Sequence, residues 1–153
     1  MMMMINIYLD IDGVLKGCAS PKKDIEDFLN FCLDNCSVYW LTTHCCSGVN
    51  YAPRALEDEF DPELIHRLET TVNPTDWYAS KTEGIDFNNP FIWFDDTVFE
   101  FEQNELRKKG AEDNFFWVDK KDPESAKYML GFVQNRLKEL PIIKRKDKKW
   151  ELE

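Results

Sequence analysis

Two short apolar runs in this sequence each carry a pair of acidic residues at their carboxyl end, and this pattern constrains the fold most. One run occupies residues 4–11 and the other residues 91–94. The acids at their ends are Asp10, Asp12, Asp95 and Asp96. Apolar runs of this length between turn residues are typical of strands buried on both faces, as in parallel sheets. The pattern therefore predicts two buried strands whose carboxyl ends present carboxylates.

Helical and strand-like patterns alternate along the rest of the chain. Apolar periodicity and capping signals predict four helices. The first covers residues 21–36, and a short second one begins at Asp61. The third runs from a capping box of Thr97 and Glu100 to near Gly110, and the last runs from Asp122 to Leu140. Further strands are predicted at residues 38–41, within 71–80, and at 115–118. Strands that alternate with helices form parallel sheets through crossover connections. We therefore expect an α/β fold, a three-layer Rossmann-like parallel sheet with helices on both faces.

The size and charge of the chain limit its organisation and its partners. At 153 residues with 43% hydrophobic residues it suits one domain, which we place at 1–140, followed by a charged C-terminal tail at 141–153. The net charge of −10 repels phosphate backbones, so charge does not support a nucleic-acid end as a partner. The basic residues between Lys144 and Lys149 fit a solvated end of the chain.

The sequence also predicts a compartment. No stretch reaches the length of a membrane span, and the first residues lack the pattern of a secretory leader. The five cysteines are an odd number without the spacing of a secreted disulfide framework. We expect a cytoplasmic protein with reduced thiols and no membrane partner.

The polar residues that follow the predicted strands indicate a metal site. Ligands of open parallel sheets bind beyond the carboxyl ends of the strands. Carboxylates gathered there repel one another unless a cation lies among them. Oxygen ligands favour Mg²⁺ over zinc. The candidate metal ligands are Asp10, Asp12, Asp95 and Asp96.

Phosphoryl transfer is the chemistry that suits this set. Asp10 can attack phosphorus as the nucleophile, and Asp12 can protonate the leaving oxygen and later activate water. Thr42 and Lys81 would hold the phosphoryl oxygens, where negative charge needs stabilisation. Spacing alone does not decide between Thr42 and Thr43 for this role.

Four strings in this order resemble the motifs of the haloacid dehalogenase-like superfamily. Residues 7–15, with the sequence IYLDIDGVL, resemble the first motif, and residues 38–42 resemble the second. Lys81 resembles the third motif, and residues 92–96 the fourth. The resemblance covers about residues 5–120.

This resemblance implies a role for each acid. The family's first Asp is the nucleophile and its second the acid/base, which correspond to Asp10 and Asp12. The fourth-motif acid binds magnesium together with the backbone carbonyl of the second Asp, which makes Asp95 a ligand and Asp96 a ligand or its neighbour. The resemblance thus implies a Mg²⁺-dependent phosphatase that forms an aspartyl phosphate.

The spacing of the motifs leaves little room for the cap domains of this superfamily. Only 25 residues separate Asp12 from Val38, and a predicted helix uses most of them. The string WLTT and the small size resemble the capless branch that includes the haloacid dehalogenase-like domain of Swiss Army Knife RNA repair proteins. An uncapped site is open to water and admits a bulky or macromolecular phosphorylated substrate, and an oligomer partner could cover it.

Other interpretations of the same residues remain open. The acceptor of the phosphoryl group could be another alcohol, which would make the protein a phosphotransferase. A catalytically idle interaction module could keep the fold without activity. A receiver-like signalling domain fits less well, because its Thr and Lys come after its acids. His44 with the cysteines at positions 32, 36, 45 and 46 suits zinc poorly, since Cys32 and Cys36 fall on an apolar helix face.

Overall fold

The computed structural model describes residues 4–152, with side chains for residues 4–140. Its strands are β1 (Asn6–Leu9), β2 (Ser37–Trp40), β3 (Cys45–Cys46), β4 (Val49–Asn50), β5 (Phe91–Asp95) and β6 (Phe115–Trp117). Its α-helices are α1 (Lys22–Asn35), α2 (Ala52–Leu56), α3 (Pro62–Thr71), α4 (Glu100–Lys108) and α5 (Ser125–Leu152). Short 3₁₀ turns occupy Lys81–Gly84 and Glu112–Asn114.

Four strands form one parallel sheet in the order β2-β1-β5-β6. In the centre, Ile7 pairs with Val38 on one side and with Ile92 on the other. β3 and β4 form a separate antiparallel hairpin. The expected α/β fold with a parallel sheet flanked by helices is therefore confirmed.

Helices cover the two faces of the sheet because alternate side chains point to opposite sides. Ile7 and Leu9 belong to a core that includes buried residues of α1 and α5. Tyr8 and Trp93 belong to a second core with Leu106 of α4. β1 and β5 are buried along their whole length, which explains their unbroken apolar sequence.

The buried face of α1 follows the apolar periodicity of its sequence. Its buried residues are Ile25, Phe28, Leu29, Cys32 and Leu33. Phe28 meets Phe94 of β5 edge to face, with ring centroids 5.2 Å apart. Full burial of a side chain such as Phe or Leu stabilises the fold by roughly 1.5–3 kcal/mol. Burial also raises the pKa of the Cys36 thiol to about 11, so this cysteine behaves as a small apolar residue.

One predicted strand and the predicted start of one helix differ in the structure. The segment 71–80 forms no strand, because only Asn73 pairs with β2, through one hydrogen bond to Val38 and one from Trp40. The start of α4 lies two residues later than predicted. The backbone N–H of Thr97 donates to Asp95, and Glu102 accepts from the backbone N–H of Phe99, which is half of a capping box because the Phe99 side chain cannot accept a hydrogen bond.

The last helix begins later and ends later than predicted. A turn occupies residues 122–124, where Asp122 accepts from the backbone N–H groups of Glu124 and Ser125 before α5 starts. The helical backbone then continues past Leu140 to Leu152, although Pro141 has no backbone N–H to donate to the preceding turn. No helix within residues 4–152 is both long and apolar enough to cross a membrane.

Candidate active site

Neighbouring strands bring three of the predicted acids together at the carboxyl edge of the sheet. Asp10 directly follows β1, Asp95 ends β5, and Asp96 comes next. The strands are paired here, since the backbone N–H of Asp10 donates to Phe94 over 3.2 Å. One carboxylate oxygen from each acid lies within 4.8 Å of the others. The cluster therefore follows directly from parallel pairing of β1 and β5.

Lys81 inserts its ammonium group between two of these acids. Its Nζ lies 2.7 Å from Asp95 Oδ2 and 3.5 Å from Asp10 Oδ2. The side chains of Lys81, Asp10 and Asp95 are only 13%, 10% and 1% exposed. Ion pairs screened from water in this way are stronger than surface pairs, but each charge costs free energy to bury. Lys81 therefore needs a rigid support.

Burial and charge change the proton affinities of this group. Burial and the charge of Asp10 raise the pKa of Asp95 to about 8, although Lys81 acts in the opposite direction. Burial lowers the pKa of Lys81, but the attraction of Asp10 and Asp95 outweighs burial and leaves the pKa above its ordinary value. Lys81 is thus a permanent cation at neutral pH, while Asp95 is close to its titration point.

Neighbouring donors fix the orientation of Asp95. The indole Nε1 of Trp93 donates to its Oδ2 over 3.2 Å, and the backbone N–H of Thr97 donates to its Oδ1 over 3.1 Å. Together with Lys81, these donors satisfy both oxygens of a nearly fully buried carboxylate. Such preorganisation is typical of acids that bind a ligand rather than solvent.

Glu102 of α4 supports Lys81, and sequence analysis missed it. Its buried carboxylate accepts hydrogen bonds from the backbone N–H groups of Lys81, over 2.9 Å, and Phe99, over 3.0 Å. One side chain thus joins the turn that carries Lys81 to the start of α4. The sequence pattern of a capping box points to Thr97 and Glu100 instead, and Phe99, whose side chain cannot cap a helix, gives no such signal for Glu102.

Asp12 lies on the open side of the group and contacts His44. Its side chain is 66% exposed, and its Oδ2 lies 2.9 Å from Nε2 of His44. Its carboxylate is not part of the cluster of Asp10, Asp95 and Asp96. The predicted acid/base residue is therefore accessible to solvent and to a leaving group.

The two candidate threonines lie in different environments. Thr42 is completely buried, and its Oγ1 accepts a hydrogen bond from the backbone N–H of His44 over 3.4 Å. Thr43 is exposed and lines the cavity that holds the acids. Thr43 can therefore contact a ligand in the cavity directly, whereas Thr42 is buried and supports the loop. The sequence alone could not distinguish these two positions.

An open cavity of about 290 Å³ surrounds these groups. Six of the residues that line it are Asp10, Asp12, Thr43, Lys81, Asp95 and Asp96. Trp77, Phe99 and Glu102 complete much of its wall. All of the predicted site residues except Thr42 therefore line one cavity.

Gly13 packs directly against the acid cluster. Its φ of +81° lies in the left-handed region, where glycine is favoured. A Cβ atom added to Gly13 would lie 2.2 Å from Oδ2 of Asp96, far inside van der Waals contact. The glycine is required here both by the backbone angle and by the close approach of Asp96.

The donor set fits a magnesium ion. The three clustered acids offer carboxylate oxygens, which Mg²⁺ prefers, and their separation within 4.8 Å allows them to share one cation.

Comparison with known protein families, with curated proteins and with solved structures finds no match to this chain. Its function is therefore inferred from the geometry of the site and from the motifs.

Proposed function

We propose that this protein is a Mg²⁺-dependent phosphatase, similar to capless members of the haloacid dehalogenase-like superfamily. One observation carries the proposal: Asp10 lies beside Lys81 and Asp95, in a cavity that is open to solvent on the side of Asp12. A nucleophile, a phosphate-binding cation, a metal-ligand cluster and an accessible acid/base thus occupy one site.

The proposed reaction has two steps. A carboxylate oxygen of Asp10 attacks phosphorus, the bond from phosphorus to the ester oxygen breaks, and Asp12 gives its proton to the departing alkoxide. Asp12, now ionised, takes a proton from water, which attacks the aspartyl phosphate and releases inorganic phosphate. Asp10 and Asp12 return to their starting states, so atoms and protons balance.

Lys81 and Thr43 have distinct tasks in this reaction. The ammonium of Lys81 contributes positive charge where the phosphoryl oxygens gather negative charge. Thr43 offers a hydroxyl at the cavity wall that can donate to one of these oxygens. Asp10, Asp95 and Asp96, with the backbone carbonyl of Asp12, would hold Mg²⁺. The bound ion would offset the charge repulsion between the nucleophile and the phosphate dianion.

The packing around the site supports an uncapped enzyme. The segment between β2 and Lys81 contains the β3–β4 hairpin, α2 and α3. Leu56 of α2 and Leu68 of α3 are fully buried in the same core as β1. Their packing into this core supports the proposal that these helices extend the main domain and do not form a separate cap. The open site is suited to a bulky substrate, but water also enters freely.

The first experiment compares wild type with Asp10→Asn on a panel of phosphate monoesters, with Mg²⁺ and with EDTA. We expect Mg²⁺-dependent phosphate release that falls by roughly 1,000-fold or more in the variant, because an amide is a poor nucleophile. Asp27→Asn is a matched control, since Asp27 is an exposed surface acid on α1. Mass spectrometry of acid-quenched protein should find one phosphoryl group on Asp10.

Different outcomes separate the alternative functions. Transfer of the phosphoryl group to an added alcohol in preference to water would make the protein a phosphotransferase. Stable phosphorylation of Asp10 by a small acyl phosphate without turnover would favour a receiver-like role. Absence of both phosphate release and phosphorylation across the panel would contradict the proposal and favour an idle interaction module.

A further inference from the structure

Two phenylalanine rings at the start of α4 are exposed side by side. Phe99 is 57% exposed and Phe101 is 53% exposed. Their rings are stacked, with centroids 5.6 Å apart and planes inclined by only 9°. Most large apolar side chains between residues 4 and 140 are buried, so two neighbouring exposed rings form an unusual surface feature.

The fold does not require either ring. Neither Phe99 nor Phe101 belongs to the two cores that the described residues form. The contact that starts α4 uses the backbone N–H of Phe99, which any residue except proline could supply to Glu102. Exposure of the two rings to water therefore costs free energy, and packing in the two cores does not offset this cost.

The position of Phe99 connects this pair to the reaction site. Phe99 lines the same cavity as Asp10, Asp12 and Lys81. A substrate with its phosphoryl group at Asp10 therefore has the ring of Phe99 within reach of its organic part. Phe101 does not line the cavity itself, but its ring stacks against that of Phe99 at the edge of the cavity.

We propose that Phe99 and Phe101 form an aromatic shelf that binds a planar, uncharged ring in the organic part of the phosphate monoester. This inference rests on the proposed function and adds a substrate class to it. Stacked aromatic groups gain roughly 0.5–1.5 kcal/mol beyond the burial of their area. A flat ring gains more from such a shelf than a puckered ring of similar size.

Charge around the shelf favours a neutral ring over an anionic one. Glu100 is exposed between the two phenylalanines in the chain, and the carboxylates of Asp96 and Glu102 line the adjoining cavity. The whole chain carries a net charge of −10. A second anionic group on the substrate would be repelled here, whereas the phosphoryl group itself meets Lys81.

Three phosphate esters of similar alcohols test the shelf. They are benzyl phosphate, cyclohexylmethyl phosphate and ethyl phosphate, which differ in the flatness and the size of the organic group. We expect wild type to favour benzyl over cyclohexylmethyl phosphate by roughly two- to tenfold in kcat/KM, since stacking requires a flat ring. Ethyl phosphate should be the poorest of the three.

Variants show whether the shelf causes this preference. In Phe99→Ala and Phe101→Ala, the ratio of kcat/KM for benzyl to cyclohexylmethyl phosphate should fall towards one. Phe101→Leu keeps apolar surface but removes the flat face, so it should lower the same ratio without lowering the preference for cyclohexylmethyl over ethyl phosphate. Tyr128→Ala is the control, because Tyr128 is similarly exposed on α5 and lies outside the cavity.

A binding assay separates failure of the shelf from failure of the proposed chemistry. Calorimetry with benzylphosphonate and ethylphosphonate measures binding without turnover, and the shelf predicts tighter binding of the benzyl compound to wild type. Suppose that no ester is hydrolysed, but wild type binds benzylphosphonate more tightly than ethylphosphonate and Phe101→Ala reduces this difference. The shelf is then supported and the phosphatase proposal fails.

Equal kcat/KM for the three esters, or equal or absent phosphonate binding, would overturn the shelf. A flat-ring preference that survives in both alanine variants would also overturn it, and would leave a protein partner as the occupant of the two rings.

Discussion

Replacement of Gly13 by alanine tests the link between the first motif and the acid cluster. Gly13 has a φ of +81°, and a Cβ built there would lie 2.2 Å from Oδ2 and 2.6 Å from Cγ of Asp96. Asp96 would have to move by about 1 Å to restore a normal van der Waals distance. Since its carboxylate belongs to the cluster with Asp10 and Asp95, that movement would disturb the proposed metal site.

Gly17→Ala provides a matched control in the same loop, between β1 and α1. Gly17 also has a left-handed φ, of +69°, but an added Cβ would have no described heavy atom within 4 Å. Both variants should lose roughly 1–2 kcal/mol because a left-handed backbone disfavours alanine. Gly13→Ala should lose roughly 1–3 kcal/mol more from overpacking against Asp96. The difference between the two variants therefore measures the close approach alone.

Urea unfolding and calorimetric Mg²⁺ titration measure the two consequences separately. We expect Gly13→Ala to bind Mg²⁺ roughly tenfold or more weakly than Gly17→Ala, since a loss of about 1.4 kcal/mol is tenfold in affinity. Asp96→Asn removes the carboxylate directly and should weaken Mg²⁺ binding to a similar degree. If Gly13→Ala and Gly17→Ala bind Mg²⁺ equally well, the role assigned to Asp96 is wrong.

Two further predictions concern the support and the protonation of the site. Glu102→Ala leaves the N–H groups of Lys81 and Phe99 without their acceptor, so stability should fall by roughly 2–5 kcal/mol. Glu102→Gln should restore part of the loss in stability and in kcat, whereas Glu105→Gln on the same helix should change little; equal kcat in Glu102→Ala and wild type would contradict the supporting role. The raised pKa of Asp95, about 8 against an ordinary 3.8, means that its contribution to the stability of the metal-free protein is present at low pH and is lost as the pH rises through about 8. Because Mg²⁺ competes with this proton, the rise in Tm on adding Mg²⁺ should be larger near ~pH 9 than near ~pH 6; a larger rise at the lower pH would contradict this account.

The sheet and its acids could be predicted because they depend on local sequence. β1 and β5 are short apolar runs, and burial on both faces requires that pattern wherever helices cover both sides of a sheet. Parallel pairing then places Asp10 and Asp95 at the same edge without further information. Strand identity and direction thus determined the position of the buried carboxylates.

The support of Lys81 could not be predicted because it depends on a contact between distant residues. Glu102 lies 21 residues after Lys81, and no periodicity or spacing connects a buried carboxylate of α4 to the backbone of that turn. The predicted capping box failed for a related reason. Thr97 is a good capping residue by type, but its N–H is already bonded to Asp95, so α4 starts later.

The charge of the buried cluster explains why an oxygen-binding cation suits this site. Asp10, Asp95 and Asp96 contribute three carboxylates, and Lys81 contributes one ammonium within hydrogen-bond reach of Asp95. Lys120 lies 3.8 Å from Asp96, but it is 55% exposed, so water screens its contribution. When all three acids are ionised, two negative charges remain uncompensated among the described residues. One divalent cation would neutralise them. Burial and the nearby charge of Asp10 raise the pKa of Asp95 for the same reason, because negative charge at this site is unfavourable without a compensating cation.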